Sequence, residues 1–275
     1  MIGSAVFKYL CGSGLNVYGT SRRKIDSSRV FLDVTAKNFE SELLFLPSKS
    51  FLINCIGLIR HKIGKEDEGL AWYLNSEYPR ILAKHALCNN LQVINICTDC
   101  VFSGKSGEYL EDSTFDPTDL YGETKANGEI SNAAVMNLRT SVIGPEVDSH
   151  FGLLSWVLSN EKNAKLLGYQ NHVWNGITSN ALAKIIGGII KSNLFVPGKM
   201  HIVPKDQITK LDLIREIAQK GGRKDLVITP HNTKVSINRT LSTIYPARNR
   251  KLWKSAGYLD LPSIQNLLSE VLALR

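Results

Sequence analysis

The chain has 275 residues, 43% of them hydrophobic, enough for one large core with a smaller appended lobe. Its 33 Lys and Arg against 25 Asp and Glu give a formal net charge of +8, yet the basic residues are scattered. That excludes a nucleic-acid tract and suits a cleft for small anions, such as the phosphates of a cofactor or nucleotide. No apolar run is long enough to span a membrane. Residues 1–10 lack the apolar length and cleavage site of a signal peptide. Cysteines at 11, 55, 88, 97 and 100 have no framework spacing and imply free thiols in a reducing compartment, the cytoplasm. Cys97 and Cys100 form a C-x-x-C with no second pair, so no metal is expected.

In chain order, Ser4–Cys11 predicts a helix stopped by Gly12-Ser13-Gly14. Strands are predicted at Asn16–Thr20 and Arg29–Leu32. Phe51–Ile56 has the unbroken apolar character of a strand buried on both faces. A long helix is predicted over Asp67–Asn89, a buried strand over Leu91–Ile96, a helix over Asp119–Ala134 and a strand over Met136–Thr140. After Gly144-Pro145 the pattern loosens. Helices are expected at Phe151–Ser159, Ser179–Ser192, Ile208–Lys220 and Ser263–Leu274, with a strand at Met200–Val203. The alternation predicts an α/β fold, a doubly wound parallel sheet with right-handed crossovers. Residues 1–145 form the expected dinucleotide-binding domain, with a returning segment near 176–203, and 146–275 form mainly a substrate lobe.

Chemistry concentrates at Tyr121-Gly122-Glu123-Thr124-Lys125. Four apart on a helix, Tyr121 and Lys125 share a face. A neighbouring ammonium favours the phenolate and is expected to lower the phenol's pKa. Thr98, from a separate strand end, can hold a carbonyl oxygen while Tyr121 protonates it, which is the chemistry of carbonyl reduction. Other signals fall at successive strand ends, where such sheets bind ligands. Gly3 opens the first helix. Arg22 and Arg23 follow the first strand and suit a 2′-phosphate, hence NADPH. Asp33 is placed to accept from an adenine amino group, and Asn54–Gly57 closes a strand where backbone must approach a ligand. Trp156, Tyr169, His172, Trp174 and Asn175 are candidates for a sugar pocket or for lobe core.

Taken together, Thr98-Asp99-Cys100-Val101-Phe102-Ser103-Gly104, Asp116-Pro117, Tyr121–Lys125 with Gly128-Glu129, Leu138-Arg139-Thr140-Ser141 and Ala256-Gly257-Tyr258 resemble the extended short-chain dehydrogenase/reductases, specifically the dTDP-4-dehydrorhamnose reductase group. The resemblance implies a Rossmann-type NADPH-binding domain and a smaller α/β lobe closing over a nucleotide sugar. It implies a cytoplasmic enzyme of cell-surface polysaccharide precursor synthesis, with a homodimer as the expected assembly and no nucleic-acid or membrane partner. The implied catalytic residues are Thr98, Tyr121 and Lys125. The implied cofactor set adds Val34, Cys55, Gly57 and Asn75 to Gly3, Arg22, Arg23, Asp33, Asn54, Tyr121 and Lys125, with Lys125 on the nicotinamide ribose. The implied substrate side includes Asp99 and Cys100.

Three departures stand out. Cys100 replaces a usual Tyr, Cys97 a usual Ser, and the first strand with the first two glycines of the cofactor turn is absent. Cys100 also stands where 4,6-dehydratases carry an acidic Glu, which argues against elimination. An epimerase, or a regulatory subunit such as that of methionine adenosyltransferase, remains an alternative. Because a fold of strand order 3-2-1-4-5-6 puts the first strand at its centre, either another segment fills that place or the natural protein carries about ten more residues there, an apolar strand and a Gly-x-x-Gly turn.

Overall fold

The computed structural model describes residues 1–22, 29–37, 39–43, 46–146 and 152–274. Helix α1 (Ile2–Cys11) leads to strand β1 (Gly19–Ser21), which pairs in parallel with β2 (Arg29–Phe31). Strand β3 (Phe51–Asn54) precedes α2 (Glu68–Trp72), a π-helical turn (Tyr73–Glu77) and α3 (Tyr78–Cys88). Then come β4 (Gln92–Cys97), α4 (Leu120–Asn127) and β5 (Val135–Arg139). The C-terminal part adds β6 (Val142–Ile143), α5 (Leu153–Ser159), β7 (Lys165–Tyr169), β8 (His172–Trp174), β9 (Ile177–Thr178), α6 (Ser179–Lys191) and β10 (Gly198–His201). It ends with β11 (Ile208–Thr209), α7 (Lys210–Lys220), β12 (Val227–His231), β13 (Ile237–Asn238), α8 (Pro246–Ser255) and α9 (Ile264–Leu272).

The main sheet is parallel, in the order β10-β5-β4-β3. Alternation along β4 divides its burial between two faces. Ile94 and Ile96 join Val6, Leu10, Ile185, Ile186 and Trp253 on the side of α1, α6 and α8. Val93 joins Leu74, Tyr78, Leu82 and Ala86 on the other. Helices on both faces explain why β4 and β5 are nearly continuous apolar runs. A separate cluster of Leu154, Val157, Trp174, Leu213, Ile217 and Leu268 builds the lobe of α5, α7 and α9.

The expected gap is present. Among the described residues β1 pairs only with β2 and β3 only with β4, so the sheet layer is split in two and no other segment joins its parts. The helix expected over Asp119–Ala134 stops at Asn127. Its C-cap, Gly128, lies so close to the Asn75 carbonyl that a Cβ there would sit 1.9 Å from that oxygen. The reach of the chain from Glu129 to Ala134 is needed to enter β5 instead. Other boundaries shift slightly: β1 begins at Gly19 rather than Asn16, β3 ends at Asn54, and Ile208–Thr209 is a short strand ahead of α7.

Candidate active site at the carboxyl end of β4

β4 ends at Cys97, and Thr98 caps the 3-10 turn Asp99–Val101 by accepting from the Cys100 amide at 3.2 Å. α4 approaches that turn from the side. Gly122 makes the approach possible, since a Cβ at that position would lie 2.2 Å from the Cys100 carbonyl oxygen. Asp119 caps α4 by accepting from the Gly122 amide at 2.8 Å and pairs with Arg60 at 2.9 Å. The packing brings the Tyr121 hydroxyl into a hydrogen bond with Thr98. Lys125, one turn further, is buried, and its Nζ donates to the Ile96 carbonyl at 2.8 Å. Thr98, Tyr121 and Lys125 are therefore brought together from β4 and α4.

Their electrostatics differ from the expectation in one respect. Burial pushes the Tyr121 phenol above its ordinary value, Cys100 and Asp99 add to this, and the Thr98 hydrogen bond opposes it. The Lys125 ammonium is turned to the Ile96 carbonyl, and the expected lowering of Tyr121 is not found.

Asparagines fix this arrangement: Asn54 and Asn75, expected at the cofactor, and Asn95 and Asn137, which the sequence reading passed over. Asn54, Asn95 and Asn137 occupy matched positions on β3, β4 and β5. Asn54 Nδ2 donates to Asn95 Oδ1, and Asn95 Nδ2 donates to Asn137 Oδ1, both at 2.9 Å, and to the Gly128 carbonyl at 3.0 Å. A polar residue inside an apolar strand was the available signal, because a buried amide needs partners. Asn75, in the π turn, clamps the Leu58 backbone at both its amide and carbonyl and donates to Thr124 Oγ1 at 3.0 Å. π turns often mark functional sites.

A family model described as the RmlD substrate binding domain matches residues 1–273 of this chain. The chain belongs to that family. A dTDP-4-dehydrorhamnose reductase from Aggregatibacter actinomycetemcomitans is 25% identical over 246 residues, 85% of this chain and 80% of that protein. Methionine adenosyltransferase 2 subunit beta from Xenopus tropicalis is 28% identical over 152 residues, 54% of this chain and 46% of that protein. The crystal structure of dTDP-4-dehydrorhamnose reductase from Bacillus anthracis in complex with NADP has a TM-score of 0.76 at 17% identity, covering 100% of this chain and 94% of that one. The likeness places this RmlD-family chain in the same α/β fold.

The other expected residues of this RmlD-family site fall as follows. Gly3 lies in the first turn of α1, whose N-terminus has no side-chain cap. Asp33 Oδ1 accepts from the Thr35 hydroxyl at 2.6 Å and the Thr35 amide at 2.9 Å, and these bonds hold its carboxyl below the usual range, with Arg22 helping. Arg23 lies outside the described residues. Val34 is buried, and its carbonyl accepts from the Tyr73 hydroxyl. Asn54 Oδ1 accepts from the Ile56 amide at 3.0 Å. Gly57 faces Asn75, where a Cβ would be 2.9 Å from Oδ1. Burial pushes the Cys55 thiol up to about 12, so it is inert at neutral pH.

On the substrate side, burial raises the Asp99 carboxyl, while Arg239, Lys210 and the Thr98 hydrogen bond oppose it. Burial pushes the Cys100 thiol up to about 12. Lys210 and Arg239 come from the C-terminal lobe and were not anticipated; nothing in their local sequence sets them apart from other scattered cations. Lys210 Nζ stands 5.1 Å from the centre of the Trp174 ring. Burial lowers it to about 8 against the pull of Asp99 and Cys100. Arg239 is held by the Phe102 carbonyl at 2.8 Å and Thr118 Oγ1 at 3.2 Å. Trp174 donates to Ser141 Oγ at 2.8 Å and is buried. Asn175 spends both ends of its amide on the Leu241 backbone, at 2.7 and 2.9 Å, which makes it a clamp. Trp156 lies on the exposed side of α5, away from Leu154 and Val157 in the lobe core. No group of three His, Cys, Asp or Glu among the described residues is arranged to hold a metal. No helix among them is long and apolar enough to cross a membrane.

Proposed function

We propose that this RmlD-family chain is an NADPH-dependent reductase acting on the keto group of a nucleotide-linked 4-keto-deoxysugar, as dTDP-4-dehydrorhamnose reductases do. The observation that carries this is the convergence of Thr98, Tyr121 and Lys125 at the end of β4. NADPH, when bound, supplies a hydride to the ketone carbon.

The residues present fit that cofactor. The uncapped first turn of α1 offers amides to a pyrophosphate. Asp33 suits the adenine, Arg22 and Arg23 the 2′-phosphate, and Lys125 the nicotinamide ribose, its remaining protons being available beside the one given to Ile96. Asn54 and Asn75 hold the loop after β3, whose backbone would face the cofactor.

Thr98 orients the substrate carbonyl by donating its hydroxyl proton. Tyr121 then gives its phenolic proton to the alkoxide oxygen as that charge develops. A phenol carries this proton at neutral pH. Lys210 and Arg239, facing Asp99 from the lobe, suit the diphosphate of the nucleotide sugar, and the Trp174 face keeps the Lys210 ammonium in place.

The test is NADPH consumption with a panel of dTDP-, UDP- and GDP-linked 4-keto sugars. Turnover is expected with at least one. Tyr121→Phe is expected to lower kcat by about 10²–10⁴-fold while NADPH affinity stays nearly unchanged. Binding without turnover across the panel, or a Tyr121→Phe enzyme of nearly full activity, overturns the reading.

A further inference from the structure

Residues 239–244, between β13 and α8, form a strap that is held differently at its two ends. It starts at Arg239, which faces Asp99 and Cys100. Arg239 Nε donates to the Phe102 carbonyl and Nη2 to Thr118 Oγ1, and among the described residues Nη1 has no hydrogen-bond partner. A guanidinium held in this way keeps one arm of its fork for a phosphate oxygen.

The strap then runs parallel to residues 108–111. The Tyr109 amide donates to the Thr240 carbonyl at 2.9 Å, and the Ser242 amide donates to the Tyr109 carbonyl at 2.8 Å. The far end is tied to Glu111, which is buried. Its Oε1 accepts from the Thr243 hydroxyl at 2.6 Å and the His201 amide at 3.1 Å, and its Oε2 accepts from the Ile244 amide at 2.9 Å. Burial opposes the charge, but these bonds and the nearby His201 ring hold the carboxyl below the usual range.

His201, at the end of β10, makes a second tie. Arg139 can only donate, so His201 Nε2 accepts from Arg139 Nη1 at 2.6 Å, and the ring proton must sit on Nδ1. Nδ1 donates to the Ser242 carbonyl at 2.6 Å. Burial pushes the imidazole below its ordinary value, Arg139 adds to this, and the ring stays neutral. Arg139 is forked onto Glu129, which follows the C-cap of α4. A continuous line of buried polar contacts thus joins the end of the helix carrying Tyr121 to the strap carrying Arg239. Apolar side chains would fill the same space without desolvating charge. What the polar groups add is direction. A strap shifted by one residue would leave the Glu111 carboxylate and the His201 Nδ1–H unpaired, and buried polar groups are rarely left so.

We infer that Glu111 and His201 are positioning residues of the nucleotide-sugar site: they fix the register of the strap and so hold Arg239 where it meets a diphosphate oxygen. The inference deepens the proposed function and rests on its assignment of Arg239 to the diphosphate.

The readout is the Kd of dTDP, UDP and GDP, measured by calorimetry on the 275-residue chain, with melting temperature alongside. Glu111→Gln keeps Oε1 but turns an amino group toward the Ile244 N–H, donor against donor. His201→Asn keeps a donor at the Nδ1 position for Ser242, whereas His201→Gln keeps only an acceptor at the Nε2 position for Arg139. Arg239→Met is expected to weaken the tightest of the three nucleotides about tenfold or more. Glu111→Gln and His201→Gln are expected to weaken it about three- to tenfold, with His201→Asn within about twofold of the parent. Combined with Arg239→Met, Glu111→Gln is expected to add nothing further, because it acts through that guanidinium. A fall in melting temperature with Kd unchanged would leave Glu111 and His201 a role in folding alone and overturn the inference. So would equal weakening by Glu111→Gln in the Arg239→Met background, equal effects of the two His201 variants, or no binding of any of the three nucleotides to the parent chain. If Glu111→Gln does not fold, the two His201 variants decide. The expected pattern of Kd values in a chain that turns over no 4-keto sugar would support the strap and count against the reductase reading alone.

Discussion

The two sides of the sheet layer teach different lessons from the same kind of sequence. On the side of β4 and β5 each strand has a neighbour on both edges, and Ile94, Met136 and Leu138 are 0% exposed. On the side of β1 and β2, strands of three residues stand apart, and the facing β3 keeps its apolar residues half-buried. Apolar side chains in a strand are buried by neighbouring strands as much as by helices above and below. The closed side also carries the proton chemistry of the proposed site, whereas the open side carries the positions assigned to the adenosine half of the cofactor.

The strongest way to break this contrast is to disturb the closed side at its ion pair. Arg139 is fully buried, forks onto Glu129 at 2.6 and 3.0 Å, and meets His201 Nε2 at 2.6 Å. Its guanidinium also lies 5.0 Å from the ring centres of Phe102 and Phe115. Arg139→Met leaves Glu129 buried without its cation and is expected to cost about 3–5 kcal/mol in urea unfolding. A paired comparison sharpens the contrast. Ile94→Ala is expected to cost about 2–5 kcal/mol, and Ile53→Ala less than half as much, because Ile53 already borders empty space. Equal losses would show that Ile53 is packed as tightly in solution as Ile94.

The junction of the closed side with the lobe gives a pH test. Burial lowers Lys210 to about 8, with Asp99, Cys100 and Arg239 the charged or titratable groups acting on it. Lys210 is therefore cationic below that value and neutral above it. If it holds an anionic substrate, kcat/KM should fall as pH rises through about 8, approaching about tenfold per unit, and Lys210→Met should flatten that limb. The smallest effect belongs to the open side. Arg22→Ala is expected to reduce the preference for NADPH over NADH by about two- to fivefold, read as the ratio of Kd values, since exposed charges contribute little.

The order of elements and the grouping of Thr98, Tyr121 and Lys125 were legible because local signals carried them. Apolar runs of strand length alternated with helical periods, and Tyr121 and Lys125 share one helix with its own capping Asp119. The end of that helix was not legible. It depends on the Asn75 carbonyl, supplied from more than forty residues away, pressing on Gly128. β7 and β12 were missed because their pairing partner is sixty residues distant, and Gly168 and Pro230 within them read as breakers. Lys210 and Arg239 escaped notice for the same reason: only the folded lobe brings them to Asp99. The direction of the Tyr121 shift was misjudged because the sequence shows the neighbouring cation and hides the burial.

The asparagine ladder has a polarity, and one backbone group sets it. The Ile56 N–H can only donate, so Asn54 must present its oxygen there and its amino group to Asn95. Asn95 is then obliged to present its amino group to Asn137, which in turn gives its own to the Ile130 carbonyl at 2.9 Å. No member can flip alone without setting two donors or two acceptors face to face. The three amides thus act as a one-way relay across the strands. An Asp at position 95 would silence it, because a carboxylate has nothing to offer Asn137 Oδ1 or the Gly128 carbonyl that ends α4.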